Sequence, residues 1–254
     1  MTSYQAMLVD RIANLENDPA WPHVRSKLAG RHLAARAGVA TPALIACADE
    51  PGDLEPPTRP AVLKPDFGQS SVGLSLLVPT GQPHTYTDPS RGRTVTWEQA
   101  LARASAAYRH PKAPVRGPWL LEELVLTGDG KQTTDYKLYT FGGRVEVILQ
   151  VRLSRREGAY LWRGPDWAPL PDIQPKRGKA YDPNLPLPAD PEAMTSAAHR
   201  VATTAGTPFI RVDLYDHPQR GPVFGETCLT PIGGKIPFAP EWDKHLGSAW
   251  AAAV

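Results

Sequence analysis

Cysteine is nearly missing from this sequence. Two stand in 254 residues, Cys47 and Cys228, and neither lies in a CxxC pair or near a histidine cluster. A disulfide framework and a thiolate metal site are therefore excluded as organising features, and free thiols in a cytoplasmic protein are the expectation. Long apolar runs are missing too. No stretch reaches the roughly 18 apolar residues of a membrane-spanning helix. The opening Met1-Thr-Ser-Tyr-Gln-Ala-Met-Leu-Val-Asp-Arg11 meets charge too early for a secretory apolar core. Charge of one sign is scarce. The net charge is +2 with signs interleaved, and without a basic run or acidic tail neither nucleic acid nor a membrane surface is an expected partner.

What is present is an ordinary globular interior. Apolar residues make up 41% and charged residues 21% of the chain, enough for one sizeable domain or two small lobes. Proline is abundant, 28 residues, and concentrates in connectors, which gives long, stiff loops. The spacing of Val24, Leu28, Leu33 and Ala37 predicts a helix over 22–40, stopped by Gly38. Residues 47–60 read as an acidic, proline-rich linker, and 82–94 as polar turns. Strands are expected at 61–64 and 74–78, and helices at 96–109, capped by Thr96, and at 190–205. A hairpin is expected over 135–153, turning at Gly142-Gly143, and a second strand pair at 209–215 and 222–228. The segment 163–190 is irregular, and a loop of that length is often functional. Strands that come as hairpins with helices between them favour an α+β fold.

Four constellations carry candidate chemistry. Lys64 precedes the small-residue loop Gly68-Gln-Ser-Ser-Val-Gly73. That loop is neither a Walker loop nor G-x-G-x-x-G, and it reads either as a phosphate cradle or as a plain hairpin turn. In Phe209-Ile-Arg-Val-Asp-Leu-Tyr215, alternation puts Ile210, Val212 and Leu214 on the core face and Arg211 with Asp213 on the other. A suitable register adds Glu226 from the next strand, giving either two carboxylates for Mg²⁺ or a salt-bridged surface, and a one-residue slip destroys the pairing. On the hairpin, Asp135, Lys137 and Tyr139 share a face, and Gln150 and Arg152 share one on the return strand. Two cations in a sheet concavity suit anionic oxygens; a solvated face is the alternative. Finally, Glu122-Glu123-Leu124-Val125 is a connector whose backbone can meet an adenine edge, although acids at a strand end are common. His199 and His245 have no partners at metal spacing and read as surface residues. Trp162 and Trp167 read as loop packing rather than cleft walls.

Taken in order, these features resemble the ATP-grasp ligases. Lys64-Pro-Asp-Phe-Gly-Gln-Ser-Ser-Val-Gly73 is similar to the K-P-x-x-x-G-S-S-V-G lid loop of D-alanine–D-alanine ligases, with Gln69 replacing a glycine. Arg211-Val-Asp213 resembles their R-[IV]-D strand, and Glu226-Thr-Cys-Leu-Thr-Pro231 stands where the superfamily has E-x-N-x-x-P. The TupA-like branch (teichuronopeptide type) is closer still. It shares V-L-K-P, Asp135-Tyr-Lys137 followed by Phe141-Gly-Gly, Val212-Asp-Leu-Tyr215, Gly225-Glu-x-x-x-Thr-Pro231 and Glu241-Trp-Asp-Lys244, a resemblance running over about 26–247.

The resemblance implies an α+β ATP-grasp fold, two lobes sandwiching ATP, with a reduced N-terminal lobe. The implied division is 1–60 helical segment and linker, 61–125 lid lobe, and 126–254 lobe with metal and catalytic residues. It implies ATP and Mg²⁺, with Lys64 and Lys27 on the phosphates and Gln69, Ser70 and Ser71 in the lid. Adenine would be read at Glu122, Glu123, Leu124 and Val125. Glu123 and Asp129 both fit the ribose, and Asp135 lies on the nucleotide side. Asp213 and Glu226 would hold Mg²⁺, Arg211 would stabilise an oxyanion, and Lys137 with Arg152 would neutralise the transferring phosphoryl group. Thr230, Gly233 and Lys235 would meet substrate. The implied reaction joins a carboxylate to an amine, on small amino-acid or peptide substrates, in specialised peptide or cell-envelope biosynthesis. An alcohol phosphotransferase and a non-catalytic nucleotide-binding module are the rivals, the latter because Cys228 replaces the usual metal-site Asn. A homodimer is compatible with the short N-terminal lobe.

Overall fold

The computed structural model describes residues 2–68, 72–109, 116–127, 133–152, 158–174 and 179–254. The chain begins with α1 (Tyr4–Ala13), α2 (Trp21–Val24) and α3 (Lys27–Arg36). Next come β1 (Leu44–Ala48), β2 (Ala61–Phe67), β3 (Ser75–Pro79), β4 (Thr85–Asp88), β5 (Arg93–Thr96), α4 (Trp97–Ala107) and β6 (Arg116–Glu123). The remainder is β7 (Asp135–Phe141), β8 (Arg144–Arg152), β9 (Ala159–Arg163), β10 (Ala180–Tyr181), α5 (Pro191–Ala205), β11 (Phe209–His217), β12 (Gly221–Cys228) and α6 (Pro240–Ala251).

The strands form two six-stranded sheets, ordered β1-β6-β2-β3-β4-β5 and β10-β9-β8-β7-β11-β12. Every pairing is antiparallel except β9 with β10. The expected α+β class is therefore the observed one. In the first sheet Ala61, Leu63, Leu77, Trp119 and Leu121 pack on Ala100, Ala104 and Ala107 of α4. The opposite face presents a smaller apolar patch, Val62, Leu76 and Leu124. α4 starts at the expected Thr96, whose hydroxyl accepts from Gln99 N–H (3.3 Å) while the Gln99 side chain accepts from Thr96 N–H (3.1 Å), a reciprocal cap.

The second sheet is covered on both faces. Leu138, Ile148, Ile210, Val212 and Leu214 pack under α5 and α3. On the other face Tyr139, Phe141, Val147 and Phe209 pack under α1 and α6. Asp135, Lys137, Arg211 and Asp213 lie further along β7 and β11 on that same face.

Three expectations are corrected. The helix over 22–40 is two helices, because Ser26 takes an extended conformation and caps α3 through its hydroxyl. The linker over 47–60 begins inside β1, an edge strand hydrogen-bonded to β6. The turns over 82–94 hold the β4–β5 ribbon, whose inward pair is Tyr86 opposite Val95. One apolar pair in eight strand residues leaves too little alternation to read from sequence.

The first sixty residues belong to both sheets. β1 extends the first, whereas α1 docks on α6 of the second. Arg11 fixes that dock. Its guanidinium donates to Phe209 O (2.6 Å) and Thr207 Oγ1 (2.7 Å), pairs with Asp18 (2.8 Å) and lies over the Trp250 ring. At the other end of α1, a Cβ on Gly247 would sit 2.7 Å from Tyr4 N and closer still to Thr2 O. Alanine is normally the better helix residue by about 1 kcal/mol. Here Gly247→Ala is expected to lose about 1–3 kcal/mol by overpacking, measured by urea unfolding. A gain would show that α1 does not dock there.

Candidate active site

The first sheet supplies an acid–base chain. Register places Val62 opposite Glu122 and Lys64 opposite Leu120, so Lys64 and Glu122 share the face with the small apolar patch. Lys64 Nζ contacts Glu122 Oε1, and Arg31 from α3 reaches Glu122 Oε2 at 3.3 Å. Arg31 also donates to Pro42 O (2.7 Å). Glu122 is only 5% exposed, and a carboxylate that deep needs such cations. Glu123 points elsewhere. Its carboxylate takes a forked contact from Arg220 (2.8 and 3.1 Å) and the Ala43 N–H (2.9 Å). Burial would raise its pKa, but the Ala43 N–H and Arg220 outweigh it and hold the acid low. The N–H groups of Glu123 and Leu124 go to Ala43 O (2.8 Å) and Pro60 O (3.1 Å).

In the second sheet Asp213 lies opposite Lys137 on one side and Glu226 on the other, and Arg211 lies opposite Tyr139 and Cys228. Lys137 Nζ sits 2.6 Å from Asp135 Oδ2 and 2.5 Å from Asp213 Oδ2. Arg211 forks onto Asp213, Nε to Oδ1 at 2.7 Å and Nη2 to Oδ2 at 2.8 Å. Burial works to neutralise all four groups. For Lys137 it is overcome by Asp135 and Asp213, and for Arg211 by Asp213, so both hold their protons more tightly than usual. Asp213 is pushed up by burial but pulled further down by Arg211 and Lys137. For Asp135 burial wins, and its acid is raised. Its Oδ1 is buried with no hydrogen-bond partner among the described residues.

The Asp213–Glu226 juxtaposition depends on a β-bulge. From His217 to Leu214 the pairing with β12 is regular; between Leu214 and Asp213 it shifts by one residue, leaving Gly225 as the extra one. Without that shift Glu226 would face the core. A Cβ at Gly225 would lie 3.1 Å from the Tyr215 ring and 3.2 Å from Asp213 O.

A second bulge has the opposite effect. In the β7–β8 hairpin the register shifts between Thr140 and Tyr139, with Glu146 the extra residue. The two-residue turn alone would put Gln150 and Arg152 on the Lys137 face. The bulge pairs Gln150 with Tyr136, so Arg152 lies with it on the face away from Lys137, and its Nη2 is 3.7 Å from Asp182. Lys137 and Arg152 are thus not brought together.

The two charged faces meet. Burial and then Asp135, Asp213, Glu122 and Glu226 raise the Tyr215 hydroxyl well above its usual pKa. Lys27 joins them. Burial first, and then Lys64, lower its pKa against the pull of Glu226, Asp66 and Glu122. Its Nζ lies 3.3 Å from Asp66 O and 3.2 Å from Gly68 O. Lys27, Gly30, Asp66, Gly68, Gly225 and Glu226 line one pocket.

Residues 13–251 match the TupA-like ATP-grasp family. The chain belongs to it. Among curated proteins, none matches this sequence. The D-alanine–D-alanine ligase from Bacillus anthracis is 12% identical over 92% of this chain and 68% of its own, with a TM-score of 0.54. The D-Ala:D-Ser ligase VanG from Enterococcus faecalis is 16% identical over 90% and 60%, with a TM-score of 0.51. The ATP-grasp ligase PsnB, solved with a phosphomimetic variant of its minimal precursor, Mg and ADP, is 11% identical over 92% and 60%, with a TM-score of 0.51. At these identities the likeness is one of fold. The chain spans about 60% of the length of VanG and PsnB.

ATP-grasp ligases use ATP and Mg²⁺, and the residues present fit the ion. Asp213 and Glu226 are oxygen donors on neighbouring strands, and Asp135 adds an unpartnered buried carboxylate oxygen nearby. Among the described residues no three His, Cys, Asp or Glu side chains form a metal site by themselves. Mg²⁺ commonly takes one or two carboxylates together with phosphate oxygens. Cys228 lies opposite Arg211 on the same strand pair, and its sulfur is a poor ligand for an ion that prefers oxygen.

Of the other expected site residues, Gln69, Ser70, Ser71 and Asp129 lie outside the described residues. Thr230 precedes a short helical turn, Pro231–Gly234, in which Gly233 N–H donates to Thr230 O (2.9 Å); Lys235 is exposed. Val125 is buried beside the Leu124 patch. Trp162 is fully buried and bonded to Gln174 O (2.8 Å). Arg31, Arg220 and Tyr215 were not among the expected site residues. Only Tyr215 carried a signal, its place in the Val212-Asp-Leu-Tyr215 motif.

Lys137→Met would leave two neighbouring buried carboxylates. It is expected to cost about 3–5 kcal/mol at pH 7, read by denaturant unfolding. A loss under about 1 kcal/mol would mean that other groups neutralise Asp135 and Asp213.

Proposed function

We propose that this chain is an ATP-dependent carboxylate–amine ligase acting on amino-acid or peptide substrates in the cytoplasm, with 61–125 as the lid lobe and 126–254 as the catalytic lobe. The observation that carries this reading is the pocket in which Lys27, Asp66 and Gly68 meet Gly225 and Glu226, with Glu226 opposite Asp213 on the second sheet.

Asp213 and Glu226 would hold Mg²⁺, which draws charge from the phosphate oxygens during phosphoryl transfer. Lys64 and Lys27 sit on the lid side of the cleft and neutralise phosphates as point charges. The patch of Val62, Leu76 and Leu124 beside them suits a purine face. In the reaction a substrate carboxylate attacks the γ-phosphorus, ADP leaves, and an amine displaces phosphate from the acyl carbon with loss of a proton. Arg211 commits part of its five-donor fork to Asp213. That contact fixes the guanidinium plane, and the remaining donors face an oxyanion. Lys137, locked between Asp135 and Asp213, stays charged and balances the transferring phosphoryl group.

Support comes from the family and from the ligase fold of VanG, PsnB and the D-alanine ligase. The test is product analysis. With ATP, Mg²⁺, a pool of amino acids and small carboxylates, and hydroxylamine as surrogate amine, ADP and a hydroxamate are expected. AMP and pyrophosphate would overturn the reading. ADP with a phosphorylated alcohol would assign a phosphotransferase instead. Arg211→Met is expected to lower kcat by about 10²–10³-fold, the loss typical of a removed oxyanion donor, with ATP affinity retained. Lys64→Ala should instead weaken ATP binding, read by titration calorimetry. Cys228→Asn adds an oxygen ligand on the Asp213 strand pair and is expected to lower the Mg²⁺ concentration for half-maximal ADP release. No change would show that residue 228 does not face the ion.

A further inference from the structure

Glu122 is one acid shared by two cations. Lys64 Nζ contacts its Oε1, and Arg31 Nη1 lies 3.3 Å from its Oε2. The carboxylate is buried between them, with the Lys64 side chain 12% and the Arg31 side chain 14% exposed. At that depth the cations, rather than water, keep the acid charged. Two bases on one acid leave a surplus positive charge on this face of the first sheet.

The two cations are held differently. Lys64 stands on β2, and among the described residues its ammonium bonds only Glu122. Arg31 has a second anchor, since its Nη1 also donates to Pro42 O at 2.7 Å. The helix that carries it is pinned as well. Leu28 N–H donates to Asp66 Oδ1 (2.8 Å), and Lys27 Nζ lies 3.3 Å from Asp66 O and 3.2 Å from Gly68 O. Lys27 and Arg31 are four residues apart and share a helix face. Gly30 lies on another side of α3, where a Cβ would come 3.3 Å from the Phe224 ring of the second sheet. Held from both sides, α3 keeps Arg31 at Glu122.

Lys64 must give up charge to Glu122 or to a phosphate, because both compete for one ammonium. If it left Glu122 with no other cation, a carboxylate would be stranded in a buried place.

We propose that Arg31 is the standing counter-ion of Glu122 and so frees Lys64 to transfer from that carboxylate to a nucleotide phosphate. Arg31 acts through Glu122 and Lys64, which makes it a positioning residue for the nucleotide. Arginine suits the task because it stays charged and its planar fork serves the carboxylate and Pro42 O together. The inference rests on the reading in which Lys64 meets phosphate.

The test is calorimetric titration of ATP with Mg²⁺ into the wild type, Arg31→Met, Glu122→Gln and the double variant. Arg31→Met leaves Lys64 as the sole cation on Glu122, and the Kd for ATP is expected to rise about tenfold, the worth of one charge-assisted contact. In the Glu122→Gln background no carboxylate holds Lys64, and the same substitution should cost less than about twofold. Arg31→Lys keeps the charge and should recover most of the affinity. Should Arg31→Met fail to fold, Arg31→Gln is compared in the same two backgrounds. An equal loss in both backgrounds would assign Arg31 a bracing role and overturn the proposal. No loss in either would overturn it too, by showing that Lys64 serves Glu122 and phosphate at once. A wild type that binds no ATP would sink this inference and the ligase reading together. The expected pattern of affinities without ADP release in the product assay would keep the role of Arg31 and discard the ligase reading.

Discussion

A sheet face can carry two buried carboxylates only if something positive is fixed between them. Lys137 is that group. It bridges Asp135 and Asp213 at 2.6 and 2.5 Å, and Arg211 closes the other side of Asp213. The desolvation cost of each ion is met by its neighbours rather than by water. Charge order along β7 and β11 follows from this. Asp213 is kept ionised, Arg211 is held flat by its own strand neighbour, and Asp135 keeps a carboxylate oxygen with no hydrogen-bond partner among the described residues.

The sequence announced this cluster because alternation along a strand is a strong rule. Arg211, Asp213, Asp135 and Lys137 were assigned to their faces from spacing alone, and the structure places them there. Faces across a strand pair were harder. Two bulges, at Gly225 and Glu146, each shift the register by one residue. The first brings Glu226 beside Asp213, and the second carries Arg152 to the far face. A bulge is set by local backbone twist and by the packing of the whole sheet, so neither was legible in a single strand. The glycine at 225 is at most a hint.

The long-range partners were the least legible. Arg31 comes from a helix that on sequence grounds does no more than cover a core, and Arg11 from one that was not expected. What they join arises from topology. α3 packs on β12 and α5 while Arg31 reaches Glu122 in the other sheet, and α1 crosses almost the whole chain to meet α6. The small-residue loop after Lys64 shows the reverse case. Its motif stands out in the sequence, and of its flanks Lys64 lies on the Glu122 face of β2 and Gly68 beside Lys27.

The two sheets also share a seam. Phe224 N–H donates to Ala40 O at 2.7 Å, and Arg220 forks onto Glu123 close by along the same strand pair. The first joint is a backbone bond. The second is a partly exposed ion pair that weakens as salt rises. This seam is therefore held by contacts of two kinds, one that ignores ionic strength and one that loosens with it, so that added salt bears on how firmly the two sheets are joined there.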